Sequence, residues 1–167
     1  IKKIFDRIPG IALGTDIIVG YCGETEEQFN RTVDLYKECK FDISYHAMYS
    51  PRTGTVGHKV WNDDVTREEK KRRWGVLQKL METTVLKKNQ NYVWKTVEVL
   101  VDSFEPIENE KGWCCGNSRE MKRVKFPGNA TKIGEIVQVE ISKALEWIMY
   151  GKEKTTVDTV VTVNEQT

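Results

Sequence analysis

The order of apolar and polar positions divides this chain into stretches of different period. Between residues 11 and 19 the apolar positions run almost unbroken, through Ile11, Leu13, Ile17, Ile18 and Val19. Such a run predicts a strand buried on both faces, as parallel strands are. Residues 1–8 read as the end of a helix, stopped by Pro9-Gly10. After the strand the period lengthens. Phe29, Val33 and Tyr36 recur at i, i+4 and i+7, the stripe of an amphipathic helix. Thr25 is placed to cap that helix, and Glu26 and Glu27 suit the positive end of its dipole. Residues 41–49 then read as a second strand. A strand, a helix and a strand joined by a crossover of about twenty residues imply parallel neighbours with a right-handed connection.

Residues 61–94 keep a helical period. Asp63, Asp64 or Thr66 supplies the start signal, Glu68 and Glu69 fall in the first turn, and Trp74, Leu77, Met81 and Val85 form one stripe. One long amphipathic helix is predicted. Residues 95–151 switch to alternation, as in 96–101, 124–126 and 136–141, with Gly- and Asn-rich turns between. Several short strands in so small a segment predict a small, twisted β-barrel. The rest, residues 152–167, is a polar, Thr-rich tail that reads as mobile.

Composition adds limits. The 167 residues, 39% apolar and 31% charged, describe a soluble globular protein of one or two small domains. No apolar run reaches the ~20 residues of a membrane helix, and the start has no secretory h-region. Without an initiator Met, the chain is expected to begin inside a longer protein. Cys22, Cys39, Cys114 and Cys115 include no pair at zinc or iron–sulfur spacing, and a vicinal pair makes a poor disulfide. They read as free thiols of a reducing cytosol.

Net charge is +1 but unevenly placed. Residues 64–95 hold 9 Lys/Arg against 4 Asp/Glu, hence +5, while the remainder holds 17 against 21, hence −4. The basic helix, with Lys70, Lys71, Arg72, Arg73, Lys79, Lys87 and Lys88, is either a solvated face or a local polyanion contact. Residues 96–151 hold 7 Lys/Arg and 9 Asp/Glu, so charge alone does not make the barrel an RNA binder. His46 alternates with apolar residues and reads as a hydrogen-bonded core residue or as a side chain facing a barrel lumen. His58 reads as a loop residue.

Two segments bear chemistry. In Gly20-Tyr21-Cys22-Gly23-Glu24, two side-chain-free positions let backbone approach a flat ligand, and Glu24 lies at the strand's C-terminal end, where α/β sheets place ligands. Alone it reads rather as a structural turn. About 25 residues on, Tyr49-Ser50-Pro51-Arg52-Thr53-Gly54-Thr55 brings a permanent cation to the same rim, suited to a carboxylate or phosphate.

Together these segments, the Arg-rich helix and the region after residue 94 resemble the radical S-adenosylmethionine methylthiotransferases, over about 150 of the 167 residues. The tRNA branch fits best; it methylthiolates carbon 2 of N6-isopentenyladenosine next to the anticodon. The ribosomal-protein branch, acting on an Asp, is the second reading, and a non-catalytic tRNA-binding fragment the third. The resemblance implies the last βα units of a partial (βα)6 radical S-adenosylmethionine barrel over residues 1–60. It implies a linker helix over 61–94 and a TRAM domain, a small antiparallel OB-like β-barrel, over 95–151. It implies S-adenosylmethionine and two 4Fe-4S clusters in the full-length protein, with the cluster cysteines absent from this chain. The expected fragment therefore binds no iron and is inactive alone.

By the same resemblance, Gly20, Gly23 and Glu24 match the fifth-strand motif that packs on the adenosyl group. Arg52 matches the Ser-x-Arg-x-Gly-Thr motif and faces the active-site mouth. Cys22 stands where many relatives have Pro. Arg72, Arg73, Trp113, Arg119, Lys122 and Arg123 are the expected tRNA contacts, the last four on a loop over 113–123. As a bare residue, Trp113, like Trp147, reads rather as core. The partner is tRNA and not a membrane, the state monomeric, the compartment cytoplasmic. Two barrel strands alone leave a parallel edge open and predict poor solubility.

Overall fold

The computed structural model describes residues 1–108 and 111–154. The tail expected over 152–167 lies outside the described residues beyond Lys154. Among the described residues the chain forms two compact units, Ile1–Asn91 with Ala144–Trp147, and a second made of Tyr92–Lys143 with the stretch from Ile148 to Lys154.

The first unit runs α1 (Lys2–Arg7), β1 (Gly14–Val19), α2 (Glu26–Cys39), β2 (Ile43–Met48), α3 (Val56–Val60) and α4 (Arg67–Gln90). β1 and β2 pair in parallel, from Gly14 opposite Ile43 to Val19 opposite Met48. The start of α2 is set by a capping box. Thr25 Oγ1 accepts the Gln28 N–H at 3.2 Å, and Gln28 Oε1 accepts the Thr25 N–H at 2.9 Å. Thr66, rather than Asp63 or Asp64, caps α4. The two predicted stripes are buried and meet. Phe29, Val33 and Leu77 pack with Val19, and Tyr36 packs with Phe41, Met81 and Val85.

Burial on both faces of the strands is not observed. Ile17 and Val19 face α2 and α4, whereas Ile18 is 58% and Tyr45 65% exposed on the other side. Both helices cover one face, and among the described residues nothing covers the other. His46 lies on the covered face, so the lumen reading is corrected. Its Nε2 is 2.7 Å from Ser44 Oγ, which donates to the Tyr36 hydroxyl at 2.9 Å. The Trp74 indole N–H donates to the His46 carbonyl at 2.9 Å. His58 belongs to α3 rather than a loop.

Burial lowers the pKa of His46, and the Gln78 side chain opposes it. The unfolded chain therefore takes up this proton first, near the ordinary value of 6.5. Stability is full above that value and falls as pH drops through it. The urea midpoint of the chain is expected to fall from neutral to mildly acid pH, and His46→Gln to flatten that slope. An unchanged slope in the variant would assign the pH dependence to other groups.

The second unit runs β3 (Thr96–Glu108), β4 (Lys111–Ser118), β5 (Arg123–Gly128), a 3-10 turn at Ala130–Lys132, β6 (Ile136–Ala144) and β7 (Met149–Glu153). These strands close in the order β3-β4-β5-β7-β6. The barrel is not wholly antiparallel, because β5 and β7 pair in parallel at Val124–Met149 and Lys125–Tyr150. Alternation was a sound guide to its interior: Val99, Val101, Val124, Phe126, Val139 and Ile141 are buried.

The loop expected over 113–123 is mostly strand β4. Trp-Cys-Cys-Gly does not alternate because Cys114, Cys115 and Gly116 are all buried. Only 119–122 remain as a turn, with Met121 in the left-handed region at φ 57. Trp113 is half-buried, edge-on to Tyr150, with Lys125 Nζ 5.6 Å above its ring. Trp147 is 51% exposed and is not core.

Candidate functional site

Three loops gather at the C-terminal ends of β1 and β2: 20–25, 49–55 and 61–66. Gly20 and Gly23 hold φ of 72 and 74, the region glycine adopts without strain. A Cβ on Gly20 would lie 2.3 Å from Lys70 Cγ. The bare position makes room for the Lys70 stem. At Gly23 a Cβ meets nothing within 4 Å, so that backbone is open to approach. Its N–H donates to Asp64 Oδ1 at 2.7 Å.

The first turns of α4 brace these loops from behind. Lys70, 5% exposed, donates to the Tyr49 carbonyl at 3.1 Å and to Asp63 at 2.5 Å. Arg73, 4% exposed, donates to the Glu24 carbonyl at 2.9 Å and to the Glu24 carboxylate at 2.6 Å. That carboxylate also accepts the Gly20 N–H at 2.6 Å. Glu24 thus closes its own loop through a paired, largely buried charge. Hydrogen bonds from Arg72, then Arg73, pull the Glu69 pKa down to about 2, which keeps this carboxylate ionised.

Arg52 lies apart from Gly20, Gly23 and Glu24. It lines a groove of about 380 Å³ with Ile18, Tyr21, Met48, Tyr49 and Thr55. Tyr21 stacks edge-on against Tyr49 at 4.8 Å and against Trp61 at 5.9 Å. The Arg52 guanidinium has no protein partner among the described residues. Apolar and aromatic walls with one permanent cation suit a flat ring that carries a carboxylate or phosphate. Gly23 and Glu24 instead line a second depression with Asp64, Thr66, Glu69 and Arg73. Arg52 is therefore split from Gly23 and Glu24 between two hollows, and Gly20 lines neither. Sequence reading missed Tyr21 and Tyr49, although each sits inside a quoted motif, because tyrosine carries no spacing signature.

The expected RNA contacts also separate. Arg73 is internal, and Arg72 is half-exposed but paired with Glu26 at 2.5 Å and Glu69 at 2.6 Å. Lys122 is 6% exposed, so burial takes it out of reach of a phosphate. Arg123 donates to Asp102 and to Ser103 Oγ, and its proximity holds the Asp102 pKa down. Arg119 remains outward, its side chain 80% exposed and 3.4 Å from Glu98. Burial raises the pKa of the Cys114 and Cys115 thiols. No three metal-ligating side chains converge among the described residues. No described helix is long and apolar enough to cross a membrane.

The family model of the TRAM domain matches residues 90–152, the barrel. The chain is also similar, through both units, to curated proteins. A tRNA-2-methylthio-N(6)-dimethylallyladenosine synthase of Bacillus cereus (strain B4264) is 40% identical over 152 residues, 91% of this chain and 29% of that protein. The synthase of Anoxybacillus flavithermus is 41% identical over the same length, 28% of that protein. That of Geobacillus kaustophilus is 39% identical over 165 residues, 99% of this chain and 30% of that protein. The chain spans less than a third of the length of these relatives.

Proposed function

We propose that this chain, related to those synthases along nine-tenths of its length, is part of a radical S-adenosylmethionine methylthiotransferase. Its substrate is tRNA carrying N6-isopentenyladenosine next to the anticodon, and the product bears a methylthio group on carbon 2. One observation carries this reading. The identity runs through the βα unit as well as the barrel, whereas a module that only bound RNA would need the barrel alone.

The residues fit S-adenosylmethionine better than they fit a cluster. Tyr21 and Tyr49 offer faces for the adenine ring, and Arg52 offers a guanidinium for the methionyl carboxylate. Glu24, Arg73 and Lys70 hold the loops in place. When bound, S-adenosylmethionine supplies the radical chemistry of the reaction. The cysteines do not fit a 4Fe-4S cluster: three are buried, and no set converges among the described residues. Both clusters are left to the rest of the whole protein.

The barrel and α4 each present cations to tRNA, and of the barrel residues expected as contacts Arg119 is the one that points outward. The proposed protein is a cytoplasmic monomer, in keeping with a tRNA substrate. Titrating the chain against an isopentenylated anticodon stem-loop at several salt concentrations tests the RNA side. Log Kd is expected to rise with log salt with a slope of about 2 or more. A Kd that ignores salt would contradict phosphate contact.

A further inference from the structure

The segment 64–95 holds 9 cations, and the structure sorts them. Lys70, Arg72, Arg73 and Lys88 each sit on a carboxylate of Asp63, Glu26, Glu24 or Asp42. Arg67 and Lys71 are exposed and have no carboxylate partner among the described residues. They lie one turn apart on one face of α4, facing the same groove. That groove, about 530 Å³, is lined by Met48, Arg67, Glu68, Lys71 and Trp74.

We propose that this groove is an RNA subsite, in which Arg67 and Lys71 hold a phosphate and Trp74 with Met48 receives the adjoining base. The inference rests on the functional reading above and picks out two cations of the basic segment that line one groove. Trp74 is fixed for the task. Its indole N–H donates to the His46 carbonyl at 2.9 Å, which pins the half-buried ring at the groove wall. Met48, 41% exposed, adds a polarisable thioether surface. Arg67 is the first residue of α4, so the helix dipole reinforces its charge. Glu68 is the one acid in the lining, against two cations. An aromatic platform beside paired cations takes a base and its phosphate without reading sequence, which suits a looped or unpaired strand.

The competing occupant is an acidic peptide, which would use the cations but gain nothing specific from the indole. The whole chain is titrated with an anticodon stem-loop RNA. R67Q/K71Q is expected to bind about tenfold more weakly and to flatten the log Kd–log salt slope by about 0.7 to 0.9, the share of the one phosphate the two cations hold. K79Q/K87Q removes the same charge from the same helix and is expected to stay within about twofold. Trp74→Leu is expected to weaken binding about fivefold with the slope unchanged, and Trp74→Phe to restore most of it. Equal losses in the two double variants, or no loss in R67Q/K71Q, would overturn the subsite while leaving the RNA reading intact. So would a Trp74→Leu variant that binds like the parent. A parent chain that fails to bind RNA at any salt would overturn the functional reading itself.

Discussion

Arg73→Met is expected to cost the first unit about 3–5 kcal/mol, and adding Glu24→Gln to restore most of that loss. The reason is the asymmetry of buried charge. Arg73 and Glu24 have side chains only 5% and 14% exposed and meet at 2.6 Å. Their attraction is largely offset by the water both have given up, so the pair as a unit adds little. Removing one member leaves the other charged, dry and alone, and that is the large term. Glu69, which Arg73 also touches at 2.7 Å, is 29% exposed and can turn to water or to Arg72. Urea unfolding of the two single variants and the double gives the coupling directly. If Arg73→Met is nearly neutral, Glu24 is hydrated in solution and the brace is not buried. If the double is as unstable as the single, the loss comes from Arg73 packing over Phe29, 5.5 Å from its ring, and not from charge.

Gly116→Val is expected to abolish the barrel. A Cβ at this position would lie 2.2 Å from the Leu100 carbonyl oxygen and 2.7 Å from Val99 Cγ1. The nearest atom is backbone of the paired strand, so no rotamer change relieves it, and β4 must leave β3. Gly23→Ala is the informative contrast. Its φ of 74 is unfavourable, but nothing stands within 4 Å, so only the left-handed backbone term of about 1–2 kcal/mol applies. Near-UV circular dichroism and thermal melting of the two variants measure the difference. A Gly116→Val chain with parental tryptophan signals and melting would contradict the strand spacing described here.

What was legible depended on period. The stripes Phe29–Val33–Tyr36 and Leu77–Met81–Val85 were readable because an i, i+4 pattern has one physical meaning when polar residues fill the gaps. The Thr25 cap was readable for the same reason, as a local bond between neighbours in sequence, whereas the Gln28 half of its capping box came only with the structure. β4 was not readable. Cys114, Cys115 and Gly116 are all covered, and a strand covered on both sides loses the alternation that marks strands. The converse misled at β1, where an apolar run promised two covered faces and only one is covered here.

The site was half legible. Gly20 and Glu24 are consequential, but for a reason that needs the fold, since their partners Lys70 and Arg73 stand about fifty residues away in sequence. Charge counting found the basic helix and could not rank its members. Pairing depends on which carboxylates the loops carry over the helix, and Arg72 and Arg73, the most suggestive dipeptide, turn out to be the most committed. Arg67 has no such signal in sequence, and nothing sets Lys71 apart from the basic run it belongs to.

The measurement that bears most directly on the account is the nucleoside content of tRNA from the encoding cell, with and without the gene. Loss of 2-methylthio-N6-isopentenyladenosine with matching accumulation of N6-isopentenyladenosine, reversed when the gene is returned, is the predicted result. Unchanged methylthiolation without the gene would contradict it, and would leave the chain as an RNA-binding relative of the synthases rather than part of one.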